Sequence, residues 1–205
     1  MMVEVWSDMV CPWCFIGKRR FEQALAEFPG AADVQVVHRA FQLDPGATTL
    51  GRRTADVLAE KYDISPAQAV DMMADVTDTA ATVGLRYRLA DTVAGNTADA
   101  HRLVLWAQDQ GRGSALLEVL FAGYFEQAQP VFSAADLLPF CQEVGLDPTA
   151  AAAMLDSDDY REQVRTDQAL AAQFGARGVP FFVFDRVRGV SGAKPVAVFA
   201  QALLG

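Results

Sequence analysis

The sequence predicts an α/β protein whose strand–helix–strand pattern is interrupted by a long all-helical insertion, and three observations carry that prediction. Apolar, β-branched runs of strand length occur only towards the two ends of the 205-residue chain. The stretch between them carries helix caps and helical spacing but no run that reads as a strand. Cys11-Pro12-Trp13-Cys14 stands where the first strand-like run gives way to the first helix-like one.

Taken in order, a first strand is expected near residues 3 to 7, where Val3-Glu4-Val5-Trp6 is β-branched and aromatic. The cysteine pair and a helical run from Phe15 to Phe28 follow, stopped by Pro29-Gly30. A second strand fits Val34 to Ala40. Ser65-Pro66-Ala67-Gln68 is a capping box with proline at the first helical position, and Gly84 ends that helix. Asn96 can cap a helix running to Gly111, Ser133 one ending near Gly145, and Asp147-Pro148 a short one before Ser157. Ser157 can cap a further helix with apolar positions Tyr160, Val164, Ala171 and Phe174, closed by Gly175. Gly178 to Phe184 and Val187 to Ser191 then read as strands, and Pro195 to Leu204 as a last helix. The order βαβ, helical block, α, ββα is that of a thioredoxin fold interrupted by an all-helical insertion. Residues 1–48 and 156–205 would form the thioredoxin-like part, and 49–155 the insertion.

In such a setting C-x-x-C is a redox motif, because the first cysteine sits at a helix N-terminus. Unpaired backbone N–H groups and the positive end of the helix dipole favour thiolate over thiol there. Pro12 suits the first turn, where its missing N–H costs nothing. Cys14 heads the stripe Cys14, Gly17, Phe21, Ala24, Phe28, which faces a core. Cys11 is therefore expected to be the exposed attacker and Cys14 the shielded resolving thiol. Lowering a thiol from ~8.5 to ~5.5 raises its ionised fraction roughly 30-fold at pH 7, but its nucleophilicity falls roughly 20-fold. The larger gain is in leaving-group quality. Trp13 adds no charge, Asp8 would oppose a thiolate, and Lys18 would favour one if it folds back, so an intermediate potential is expected.

Other uses of the pair are weaker. Three cysteines and two histidines could in principle give Cys11, Cys14, His38 and His101 as a zinc set, but no second pair has the spacing such sites show. A bridge closing so short a loop would remove little chain entropy, which argues against a structural disulfide. With 52% hydrophobic and 21% charged residues the composition is that of a globular protein with a sizeable core. The net charge of −9 would repel nucleic acid and anionic membranes. No signal-peptide pattern opens the sequence and no stretch reaches membrane-spanning length, so a cytoplasmic location is expected.

Several segments, spread in order along nearly the whole chain, resemble the DsbA-like thioredoxin superfamily, and within it the cytoplasmic FrnE-like branch. They are residues 7–19 (SDMVCPWCFIGKR), 41–45 (FQLDP), 96–103 (NTADAHRL), 178–182 (GVPFF) and 191–195 (SGAKP). This branch is close to the 2-hydroxychromene-2-carboxylate isomerases and kappa-class glutathione transferases. The resemblance implies that Cys11 and Cys14 are the redox pair and that Pro180 is a cis-proline facing them. Val179 would then offer its N–H and C=O to an extended substrate. It also implies that the helix carrying Thr97 and His101 borders the active-site cleft, and Trp13 and the Pro180 loop are expected on the opposite wall. The isomerases and transferases typically have serine at the position of Cys11 and no partner at that of Cys14, so the intact dithiol points to electron transfer.

The function expected is that of a thiol–disulfide oxidoreductase acting through a mixed disulfide on Cys11 that Cys14 resolves. Its partners would be protein thiols and disulfides or glutathione, with no tightly bound cofactor and no metal. A glutathione-dependent isomerase or transferase of aromatic or polyketide metabolism is the alternative, and a chaperone-like binding module a third. His101 is either a proton shuttle or substrate contact, or a satisfied internal histidine. His38 shares a strand face with Val34 and Val36 and reads as structural, and Cys141 reads as a small buried hydrophobe. Phe121, Tyr124 and Phe125 read as core of the insertion, and Lys18, Arg19 and Arg20 as a solvated face able to attract glutathione carboxylates.

Overall fold

Four strands form one mixed sheet in the order β2-β1-β3-β4, with β1 (Met2–Ser7) parallel to β2 (Gln35–Ala40) and antiparallel to β3 (Phe181–Phe184), which pairs antiparallel with β4 (Arg188–Ser191). The computed structural model describes residues 1–48 and 51–205, so the first two residues of the expected insertion, 49 and 50, lie outside the described residues. The parallel β1–β2 pair requires a crossover, and α1 (Pro12–Ala26) supplies it.

β1 is central and covered on both faces. Val3 and Val5 pack with Phe21 and Ala24 of α1, with Phe182 and Phe184, and with Phe199, Ala202 and Leu203 of α9 (Val196–Leu204). On the opposite face Trp6 packs with Phe181, Val183 and Ala171 of α8 (Arg161–Gln173). Glu4 on that face is buried, and it stays charged because Arg39 and Arg186 both donate to it. Those guanidinium groups outweigh burial and hold its carboxyl below the usual range.

Between β2 and α8 lie α2 (Thr54–Tyr62), α3 (Pro66–Ala81), α4 (Ala98–Asp109), α5 (Gly113–Gln127), α6 (Ala134–Glu143) and α7 (Pro148–Asp156). Capping boxes at Ser65 and Ser133 open α3 and α6, and the Asp147 carboxylate caps α7. Phe121, Tyr124 and Phe125 are buried, and Phe15 of α1 stacks on Phe121. One continuous apolar cluster thus joins Cys11, Cys14, Phe15 and Ile16 to the helices of the middle segment.

Two expected caps are displaced. Ser157 ends α7, its hydroxyl donating to Met154 O and accepting from Asp159 N, and α8 begins later, at Arg161, after Tyr160 in the left-handed region. The N-cap of α4 is Thr97 rather than Asn96, although Asn96 Oδ1 accepts from Ala98 N at 2.9 Å and so bonds the same first turn. In both cases a polar turn precedes the helix by a few residues, and local composition alone does not separate turn from cap.

Candidate active site

α1 starts as the motif chemistry requires. Cys11 is its N-cap in extended conformation and Pro12 occupies the first turn. Cys11 N donates to Asp8 O at 3.0 Å and Cys14 N to Cys11 O at 2.9 Å, which fixes the turn carrying the two sulfurs. Both cysteines are free thiols.

The Val179–Pro180 peptide is cis, and the Cys11 thiol donates to Val179 O with a sulfur–oxygen distance of 3.4 Å. Gly17 makes this approach feasible: a Cβ there would stand 2.9 Å from Pro180 Cγ. Trp13 is 40% exposed beside the pair. Cys14 lies beneath, 2% exposed. Burial, then its contact with the Cys11 sulfur, pushes the Cys14 thiol well above the ordinary cysteine range.

Several expectations change here. Cys11 is not exposed: it is 4% accessible, because the Val179 carbonyl and the packed start of α1 cover its sulfur. Thr97 and His101 form no open cleft wall, since each is only 2% accessible. His101 instead turns its ring towards Asp8, three residues before Cys11, with Nε2 3.3 Å from Asp8 Oδ1. Asp8 Oδ2 accepts from Leu43 N at 2.7 Å, so the carboxylate ties α4, the segment after β2 and the cysteine turn together. Lys18 does not fold back towards the sulfurs, and Lys18 and Arg19 are not a free cationic face, because both clamp Glu22 and Glu118. Arg20 donates to Ala193 O.

Tyr87, absent from the sequence reading, joins the site. Its hydroxyl donates to Pro12 O at 2.7 Å and its ring stacks on Phe15 and Phe125. Burial raises its phenol strongly, so it stays protonated and remains a donor. It lies in an irregular segment after α3, where neither periodicity nor motif marks it. His38 is buried as expected, yet it also lines a cavity with Cys14. Cys141 is fully buried and burial pushes its thiol up to about 11. Among the described residues no group of three or more His, Cys, Asp or Glu could hold a metal ion, and no helix is long and apolar enough to cross a membrane.

The sequence matches the DSBA-like thioredoxin domain over residues 2–204. The chain belongs to this family. The probable DsbA oxidoreductase SCO1869 from Streptomyces coelicolor is 45% identical, with a TM-score of 0.94 over 99% of this chain and 88% of that one. The cytosolic disulfide reductase DsbM from Pseudomonas aeruginosa, in a structure with GSH, superposes with a TM-score of 0.70 at 19% identity, covering 100% of this chain and 99% of that one. A 2-hydroxychromene-2-carboxylate isomerase superposes at 0.73 with 15% identity over 99% and 94% of the two chains. At such identities these last two likenesses show the DsbA-like thioredoxin fold alone.

Proposed function

We propose that this protein is a thiol–disulfide oxidoreductase whose working groups are Cys11 and Cys14. The observation that carries the reading is the placement of two free thiols on the first turn of α1, one against the Val179 carbonyl and the other buried directly beneath. The 45% identity to a probable DsbA oxidoreductase supports it.

In the reaction the Cys11 thiolate attacks one sulfur of a disulfide. A Cys11–substrate S–S bond forms, the substrate S–S bond breaks, and the electron pair leaves on the departing thiolate, which takes up a proton. Cys14 then gives up its proton and attacks Cys11 Sγ, forming the internal disulfide and releasing the second substrate thiol. The dithiol loses two electrons and two protons, and the substrate gains them. Run backwards, the same steps oxidise a substrate dithiol.

The covered sulfur has a role in this scheme. Once Cys11 has lost its proton, its contact with Val179 O has no donor, and the carbonyl is free to accept from the backbone N–H of an extended substrate. Trp13 is the exposed apolar surface beside it, suited to a peptide or to glutathione. Thr97 and His101 act from behind: His101 holds Asp8 and Thr97 starts the helix that carries it. Glutathione fits as a co-substrate rather than a resident cofactor, and the DsbM structure with GSH is consistent with a cytoplasmic thiol partner.

A redox titration against glutathione, with mass spectrometry of trapped adducts, tests the reading. A Cys11-linked mixed disulfide and reversible Cys11–Cys14 bridging are expected, together with catalysed insulin reduction. Conjugation or isomerisation of an aromatic substrate without any Cys14 oxidation would overturn it in favour of transferase chemistry.

A further inference from the structure

Behind the resolving thiol, a cavity of about 230 Å³ lies between α1, the sheet and the first turns of α5. Cys14 and His38 both line it, among apolar walls that include Val5, Phe21 and Leu117. His38 is the β2 partner of Val5 in the parallel ladder, which puts its ring on the α1 side of the sheet. Its Nε2 is 2.7 Å from Ser114 Oγ. Its Nδ1 is buried without a hydrogen-bond partner, the one such side-chain nitrogen or oxygen among the described residues.

That nitrogen is therefore not spent on another protein group. The space around it is ample for several waters, since one water occupies about 30 Å³ of liquid. Of the lining residues Ser114 is exposed and Lys18, Glu22, Leu25 and Val36 are half-buried, so the cavity reaches the surface where α1, α5 and β2 meet. The groups facing His38 are Cys14, Lys18 and Glu22 from α1, Ser114 from α5 with Glu118 holding Lys18, and Ser7 from β1. Gln108 of α4 bonds the His38 backbone on both sides.

During resolution Cys14 must shed a proton while the mixed disulfide covers its outer side. We propose that the cavity is the proton path of this step, with His38 as the relay between Cys14 and solvent. The inference rests on the oxidoreductase reading given above. Cys14 S–H gives its proton through cavity water to His38 Nδ1, and the imidazolium releases it to solvent past Glu22. The Cys14 sulfur meanwhile bonds to Cys11, the Cys11–substrate bond breaks, and the electron pair leaves on the substrate thiolate. Burial, with the Lys18 charge adding to it, holds His38 down to about 4, so the ring is neutral at pH 7 and keeps a lone pair available. The low value disfavours capture of the thiol proton and favours its release, so the transfer is coupled to formation of the Cys14–Cys11 bond.

The test follows single turnovers with a symmetrical nitrobenzoate disulfide whose released thiolate is coloured. A first, reagent-dependent phase reports attack by Cys11, and a second, reagent-independent phase reports resolution by Cys14. His38→Gln keeps a polar group of similar reach but cannot carry a proton. Near pH 7 it is expected to slow the second phase by at least about tenfold and leave the first within about twofold. The deficit should shrink as pH rises and hydroxide takes the proton directly. Ser114→Ala, at an exposed position, releases the ring without threatening the fold and should slow the second phase severalfold. Absence of a second phase in the unmodified protein would defeat the two-thiol reading itself. A normal second phase in either folded variant, or a slowing equal at all pH values, would overturn the relay alone. If His38→Gln does not fold, Ser114→Ala decides by the same criteria.

Discussion

His101 Nε2 lies 3.3 Å from Asp8 Oδ1, and both side chains are buried. The other carboxylate oxygen accepts from Leu43 N and the Asp8 carbonyl accepts from Cys11 N, so one residue positions the attacking thiol while anchored to α4. Asp8→Ala removes two partners at once and is expected to cost about 2–4 kcal/mol, against about 1–3 for His101→Ala. Denaturant midpoints give the order, and iodoacetamide trapping should show Cys11 alkylation changed more by Asp8→Ala, which also removes the negative charge that opposes the thiolate. The reverse order would mean that His101 is held by something other than Asp8.

Cys14→Ser should retain attack by Cys11 but accumulate mixed disulfides with glutathione or protein, visible as a mass increase that dithiothreitol reverses. Cys11→Ser should yield no such adduct, because the remaining Cys14 thiol is buried and protonated. A Cys14→Ser protein that cycles normally would show that the substrate supplies the second thiol.

Stability should fall in mild acid through His38. Its folded value of about 4 lies below the ordinary 6.5, so between these two the unfolded chain binds a proton that the folded chain does not. The contribution is fully present above about pH 6.5 and is lost as pH falls towards about 4, in total about 3 kcal/mol. From about pH 6.5 to about pH 4 the protein should lose about 3 kcal/mol more unfolding free energy than His38→Gln. Parallel curves would show that burial does not hold the ring neutral.

Gly17→Ala sets two effects against each other. Alanine in a helix interior is favoured by about 1 kcal/mol over glycine. Here the added Cβ would meet the rigid Pro180 ring at 2.9 Å and Ala193 at 3.5 Å, which costs about 1–3 kcal/mol of overpacking. A net loss of melting temperature is expected, together with a changed rate of Cys11 alkylation as the Val179 carbonyl shifts. A rise in melting temperature would show that the Pro180 loop yields freely.

The sequence by itself determined what is local. The strand runs, the capping boxes at Ser65 and Ser133 and the cysteines at the start of α1 are read from nearest neighbours, and each is found where its chemistry puts it. The resemblance added Pro180, some 170 residues away, as a partner of Cys11, which no local rule supplies. Only the tertiary structure decided which polar side chains are used up. Thr97 and His101 share a helix face in either reading, but packing of α4 against the rest of the chain turned that face inward and gave His101 to Asp8. Lys18 and Arg19 read as a free basic face until α5 brought Glu118 across the fold to meet them. Tyr87 and the cavity shared by Cys14 and His38 exist only because segments distant in the chain close on α1. Burial and pairing depend on what arrives from elsewhere, and that information is carried by the packed core rather than by any short stretch of residues.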